Sequence, residues 1–266
     1  MKPEWDLREI VGVVASEKEN FATIERYIAK GNNFEEAKKV VARDIEVAKI
    51  FGKSKMVVMP RQDFEVLNTE VTQKMYRAVM GENPSSFKGE NNPVENVSWY
   101  DAIFFCNKLS EKFGYEPVYA VNGETDVRRW GYTPHNDKSI QGKIVQKGSA
   151  NGFRLPTEDE WEYAAQGGQN YKYAGSDNID EVGWYGGNSG RTTHPVAQKK
   201  ANGYGLYDMS GNVFEWSGAA SGSNRVARGG SLILDADFCA VSIRDYYNPD
   251  GRYYYLGFRV VRSSSN

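Results

Sequence analysis

Apolar residues recur every three to four positions twice within the first fifty residues, and then the pattern breaks. Phe21, Ile24 and Ile28 share one helical face behind a capping box of Ser16 and Glu19, with Gly31 as the stop. Asn33 and Glu36 open a second run, in which Phe34, Ala37, Val41, Ile45 and Ala48 form the stripe and Gly52 ends it. The two runs predict a helical hairpin over residues 1–55. From Met56 the chain reads as short elements: strands at 56–59 and 64–67, and a helix at 73–80 capped by Thr72 and closed by Gly81. A longer helix at 99–113 starts from Ser98 and Asp101 and turns Ala102, Phe105, Cys106 and Leu109 inward. Short strands follow near 118–121, 129–133 and 144–146, then a helix at 158–166 between Thr157 and Gly167-Gly168. Glu158, Glu160 and Glu162 on that helix resemble a carboxylate pair, but a capping box and a solvated face account for them. Glycine-rich loops dominate from 175 to 205, a length of irregular chain that function or tight anchoring must explain.

The stretch 225–262, RVARGGSLILDADFCAVSIRDYYNPDGRYYYLGFRVVR, follows no single period. It is too aromatic for a solvated linker, so it reads either as core or as a binding surface. Tyr253-Tyr254-Tyr255 separates the two. Successive side chains on an extended chain face opposite sides, so at least one of the three sits at the surface.

Composition narrows the function. Hydrophobic residues at 40% and charged residues at 26% are ordinary for a globular domain, and 266 residues suit one large domain with an appendage. A net charge of −2 supplies no basic footprint, which argues against nucleic acid. No run of eighteen apolar residues spans a membrane, and the first residues are not a secretory leader. Cys106 and Cys239 are too few for a disulfide framework, and His135 and His194 are too few for a histidine-rich metal centre.

Five segments then stand out in order: EVTQKMYRAVMGENPSSF (70–87), NPVENVSWYDAIFFCNKLS (92–110), GFRLPTEDEWEYAAQGG (152–168), THPVAQKKANGYGLYDMSGNVFEW (193–216) and RVARGGS…GFRVVR (225–262). Together they resemble the formylglycine-generating-enzyme, or sulfatase-modifying-factor, domain over roughly 56–266. The resemblance implies an α+β, C-type-lectin-like fold of that subtype, rich in irregular loop. Its oxidising members use two cysteines after the GGS motif; here the later position is Cys239 and the earlier falls on Leu234, which offers no thiolate. An oxidase using Cys239 therefore stands as the alternative, while FCAVSI (238–243) reads as a strand that would place Cys239 in the core. A third reading, an assembly module acting through the helical hairpin, rests on residues 1–55.

The pattern Gly229-Gly230-Ser231, Cys239-Ala240-Val241-Ser242, Arg244, Pro249, Arg252 and Gly257-Phe258-Arg259-Val260 is similar to the variable proteins of diversity-generating retroelements. That branch targets mutation to adenines, often in codons that cannot yield Glu, Lys, Gln, Met or Trp. None of those residues occurs after Trp216. The resemblance implies a non-enzymatic binding protein whose variable region, about 229–258, displays ligand-contacting side chains. These would be Ile233, Leu234, Asp235, Asp237, Phe238, Ile243, Asp245, Tyr246, Tyr247, Asn248, Asp250, Gly251, Tyr253, Tyr254, Tyr255 and Leu256. The expected partner is a protein or other surface ligand, and the location is the cell surface or outside, by a lipid anchor or leader absent from this chain. No cofactor is required. The family implies a structural calcium at Asp208, Gly211, Val213 and Glu215; the competing reading has Asp208 capping a turn and Glu215 pairing with an arginine.

Overall fold

The computed structural model describes residues 34–263 and divides the chain into two compact units, Met1–Lys53 and Ser54–Asn266. In the first unit the second apolar run is helix α1 (Phe34–Phe51), ended by Gly52 at φ 61° with its N–H donated to the Ala48 carbonyl. Burial at its end falls on Ile50 and Phe51, while Ala48 is exposed. The helix expected over 16–31, and hence the hairpin, lies outside the described residues.

The second unit is α+β, built from two four-stranded sheets, a two-stranded ribbon and short helices. Strands β1 (Met56–Val58) and β2 (Phe64–Leu67) form a hairpin. Helix α2 (Gln73–Met80) starts where the Thr72 hydroxyl accepts the Met75 N–H and ends on left-handed Gly81. Helix α3 (Trp99–Lys112) begins with a reciprocal box between Ser98 and Asp101, and Ala102, Phe105, Cys106 and Leu109 are buried as the spacing predicts. Strands β3 (Tyr119–Val121) and β4 (Ile144–Gln146) make the ribbon, and β5 (Phe153–Arg154) precedes α4 (Glu158–Gln166). A short helix α5 (Ile179–Val182) lies within the glycine-rich loops. Then come β6 (Phe214–Ser221), β7 (Asn224–Arg228), β8 (Arg244–Tyr247), β9 (Leu256–Gly257) and β10 (Val261–Ser263).

Strand β10 returns to the start of the unit: it pairs antiparallel with both β2 and β5, giving the order β1-β2-β10-β5. The other sheet has the order β8-β7-β6-β9, with β9 parallel to β6 and β8 at one edge. Strands β2 and β10 of the first sheet and helix α4 share a core that includes Met59, Phe64, Val66, Trp161, Leu206, Met209 and Val261. Two expectations fail locally. Residues 129–133 form no strand; a 3-10 turn at Val127–Arg129, capped by Asp126, occupies the start of that stretch instead. The strand expected around Cys239 is a 3-10 turn, Ala236–Cys239, because Cys239 has to fold back onto Gly230.

Candidate functional site

The irregular segment 229–258 is held to the rest of the unit mainly through its backbone. The Gly229 and Leu234 carbonyls accept from Gly211 and Gly186, and Leu232 donates to Asn212. Val241 donates to the Lys172 carbonyl, while the Pro249, Tyr253 and Tyr255 carbonyls accept from Trp99, Asn96 and Phe214. Antiparallel pairing of β8 on β7 and parallel pairing of β9 on β6 complete the frame. A main-chain bond is indifferent to the side chain that its residue carries, which is what a surface of exchangeable side chains requires.

The motif residues supply the remaining ties. Arg252 lays its guanidinium on Asp101 (Nε to Oδ2 2.8 Å) and also donates to the Tyr132 hydroxyl and the Asp137 carbonyl. Buried Arg259 meets the Glu215 carboxylate with two bonds of 2.7 Å and reaches the Leu67 and Tyr207 carbonyls. Arg244 pairs with Glu158 at 2.6 Å. Gly230 is left-handed (φ 72°), and a Cβ there would lie 2.6 Å from the Cys239 sulfur. Gly257 passes so near the Val94 carbonyl that a Cβ would sit 2.3 Å from its oxygen.

Tyr247, Tyr253, Tyr254 and Tyr255 form one patch. Tyr247 packs its ring on Phe214 and Trp216 (centroids 5.8 and 6.1 Å) and meets Tyr253 at 5.3 Å. Tyr253 and Tyr255 stack at 5.3 Å with planes 15° apart, as residues two apart on one face should. Tyr254 turns the other way, edge-on to Phe87 at 5.8 Å. Tyr246, Tyr254 and Tyr253 are 47%, 41% and 36% exposed, so the trio is not sealed into the core. Tyr247 and Tyr255 are half-buried beneath them. The Tyr247 hydroxyl donates to Asp245 (2.8 Å); burial, then Asp245, raises its pKa above the usual phenol value.

Among the other expected contact residues, Asp235, Asp237, Phe238 and Asn248 are exposed. Ile233, Leu234, Ile243, Asp245, Asp250 and Gly251 are half-buried, and Ile243 packs on the cluster of Tyr173, Ile179, Val182 and Cys239. Leu256 does not belong to the surface. It is wholly buried, because its strand pairing with Phe214 turns the side chain into the core. Other residues border the patch without having been expected there: Phe87 and Tyr100, and Arg225, whose guanidinium carbon lies 3.8 Å from the Trp99 ring centroid. Arg225 faces Tyr247 across β7 and β8, a register that no local pattern reveals. Glu158 and Glu162 are not a plain solvated face either: Glu162 binds buried Arg228 at 2.5 Å, and Glu158 holds Arg244.

Cys239 is wholly buried, its sulfur 4.0 Å from the Ser231 carbonyl oxygen, and burial pushes its thiol up to about 12. A thiol so raised supplies almost no nucleophile near neutral pH. Cys106 is the other free cysteine, also buried.

Of the two carboxylates expected to hold calcium, Glu215 is committed to other partners. Both Glu215 oxygens are occupied by Arg259, and Oε2 also accepts from Trp161 Nε1. Asp208 Oδ2 accepts the Ala197 N–H, while its buried Oδ1 has no hydrogen-bond partner. Among the described residues no group of three or more His, Cys, Asp or Glu is placed to hold a metal. Burial instead raises Asp208 to about 6 and lifts Glu70 well above the usual carboxylate range. Among the described residues no helix is long and apolar enough to cross a membrane.

Comparison with known proteins agrees with this architecture. Chaperone protein LppX of Paenibacillus barcinonensis is 41% identical over 231 residues, covering 76% of this chain and 80% of the relative. The solved structure of Treponema denticola variable protein 1 matches with a TM-score of 0.70 and 39% identity, over 79% of this chain and 91% of its own. Mouse formylglycine-generating enzyme is 28% identical over 221 residues, and the chain spans about half of that enzyme's length (48%). These neighbours share the C-type-lectin-like, formylglycine-generating-enzyme type of fold, and the match to the family pattern begins well ahead of Met56. With the sulfatase-modifying factor enzyme 1-like domain matched over residues 18–264, the chain belongs to that family.

Proposed function

We propose that the chain is a binding protein of the diversity-generating retroelement type, with the segment 229–258 as its receptor face. One observation carries this reading. The segment is fixed by main-chain hydrogen bonds and a few motif residues, while most of the aromatic and acidic side chains between them are left at the surface. The likeness to a variable protein at 39% identity supports it. The partner is a protein or another surface ligand met at the cell surface or outside the cell. Sequencing copies of the locus from several strains tests the reading. Residues 233–255 should vary far more than 152–161, with a reverse transcriptase and a template copy of the segment nearby; equal variability in the two stretches overturns it.

The Paenibacillus relative's name gives a second reading, and the exposed tyrosine patch favours it, since a chaperone also has to hold another polypeptide. Suppression of the aggregation of a heat-denatured test protein, lost on Tyr253→Ser with Tyr254→Ser, would decide for it. The oxidase alternative has less support: Cys239 is sealed, and Leu234 stands where a second thiol is needed.

A further inference from the structure

We infer that this face, as it stands, takes a partner that presents arginine or lysine side chains; the inference rests on the receptor reading above. The segment carries four carboxylates, Asp235, Asp237, Asp245 and Asp250, and from Ser217 onward the chain has no lysine. The segment's two arginines are each committed to a carboxylate, Arg252 largely buried and Arg244 with its side chain still 49% exposed. Arg252 lies on Asp101 and Arg244 on Glu158, both carboxylates of the framework. Asp237 is matched by Lys172 at 2.5 Å, and among the described residues Asp235, Asp245 and Asp250 have no ion-pair partner. Asp245 accepts from the Tyr246 N–H and the Tyr247 hydroxyl, so it sits within the tyrosine patch, and Asp250 acts on neighbouring Tyr100. Arg225 also borders the patch, and its guanidinium is already laid over Trp99, with Nη1 3.4 Å from the Gly218 carbonyl.

What remains without an ion-pair partner is therefore mainly a set of ring faces and carboxylates. Ring faces carry the negative end of the aromatic quadrupole and attract a cation within about 6 Å of the centroid. Tyr246, Tyr253 and Tyr254 offer such faces to solvent, Asp245 adds a carboxylate beside Tyr247, and Asp250 adds one near Tyr100 at the border. Guanidinium suits this surface best, because it stacks on a ring while forking onto a carboxylate. An acidic or neutral partner would meet like charge or leave the carboxylates desolvated and unpaired. A bare metal ion does not meet the description, since no three-carboxylate group is assembled among the described residues.

The test uses the full chain and synthetic peptides of one length that carry arginine, glutamine or glutamate at alternate positions, with glycine and serine between. Binding is read by chemical-shift changes at the tyrosines. The arginine peptide should bind, weaken about tenfold in the Asp245→Asn, Asp250→Asn double variant, and weaken further as salt is raised. The Tyr253→Ser, Tyr254→Ser variant should lose it. Glutamine or glutamate peptides that bind equally well, yet are lost with the tyrosines, would overturn the charge inference and leave the receptor reading standing. No binding by the arginine peptide also overturns the inference. Arginine-peptide binding that ignores both sets of substitutions would overturn the inference and the receptor reading together.

Discussion

Helix α3 and the segment 229–258 are both tied firmly to the rest of the unit, but different atoms hold them in place. In α3 the side chains do it. Ser98 and Asp101 cap the start, Asn107 bonds both the N–H and the carbonyl of Tyr119, and the Trp99 indole reaches the Ser217 carbonyl. Ser110 accepts the Phe153 N–H. Change one of these and a buried polar group loses its partner. In the segment the peptide groups carry most of the ties, and the side chains matter at a few motif positions. The difference teaches where this molecule tolerates change: the least regular stretch of backbone should accept the most sequence.

The sharpest way to break that comparison is at a motif residue. Arg259 is buried against Glu215, with Glu70 and Asp208 close enough to influence its charge. Arg259→Ala removes the guanidinium buried among those carboxylates and leaves Glu215 buried without its ion-pair partner, a loss of about 3–5 kcal/mol. Urea unfolding should show it as a large drop in midpoint with little change in slope. A cost under about 1 kcal/mol would mean that the segment's frame does not depend on its motif side chains after all.

A second, smaller test lies beneath the patch. Glu95 is a buried framework carboxylate whose Oε1 accepts the Phe87 N–H at 2.8 Å, while its Oε2 has no hydrogen-bond partner. Burial raises its pKa to about 7. The folded state therefore binds the proton more tightly than the unfolded chain does. The stability this brings is fully present below the ordinary Glu value and is lost as pH rises through about 7. Glu95→Gln escapes that loss. The variant's melting temperature should gain on the parent's as pH goes from 5 to 8, by the equivalent of about 3 kcal/mol at most. Glu70 and Asp208 change with pH in both proteins and cancel in the difference. A gap independent of pH would show that Glu95 is ionised at little cost. His135 works in the opposite direction: burial lowers its pKa, so its contribution is lost on acidification.

The same contrast explains what could be read from the sequence. Helices α2, α3 and α4 were legible to within a residue because their starts and stops are local: Thr72, Ser98 with Asp101, and Thr157 with Glu160 each cap within three positions. The 3-10 turn at Ala236–Cys239 was not, because Gly230 shapes it from outside any short window. Leu256 was placed on the surface because an irregular segment has no period to reveal its inward face; only its pairing with Phe214 does. The Arg228–Glu162 bond spans 66 positions and leaves no local trace, so the carboxylates of α4 read as solvated. The tyrosine patch was legible in part, since three adjacent tyrosines force exposure, but Phe87, Tyr100 and Arg225 at its border come from distant segments.

The smallest expected effect is the most informative. Tyr246 is 47% exposed on edge strand β8, whose place is set by main-chain pairing with Val226 and its neighbours. If the peptide groups fix that strand, Tyr246→Asn should change stability by no more than about 0.5 kcal/mol, the range of surface substitutions that touch no special feature. Near-ultraviolet dichroism should lose one tyrosine's share and otherwise keep its shape, because Tyr247, Tyr253 and Tyr255 remain packed on one another. Affinity for the arginine peptide should fall all the same, since a ring face is gone. A substitution that unfolds nothing and yet costs binding is what separates a displayed side chain from a structural one. Should Tyr246→Asn instead cost as much as Arg259→Ala, the two kinds of position would be one kind, and the segment would be ordinary core reaching the surface.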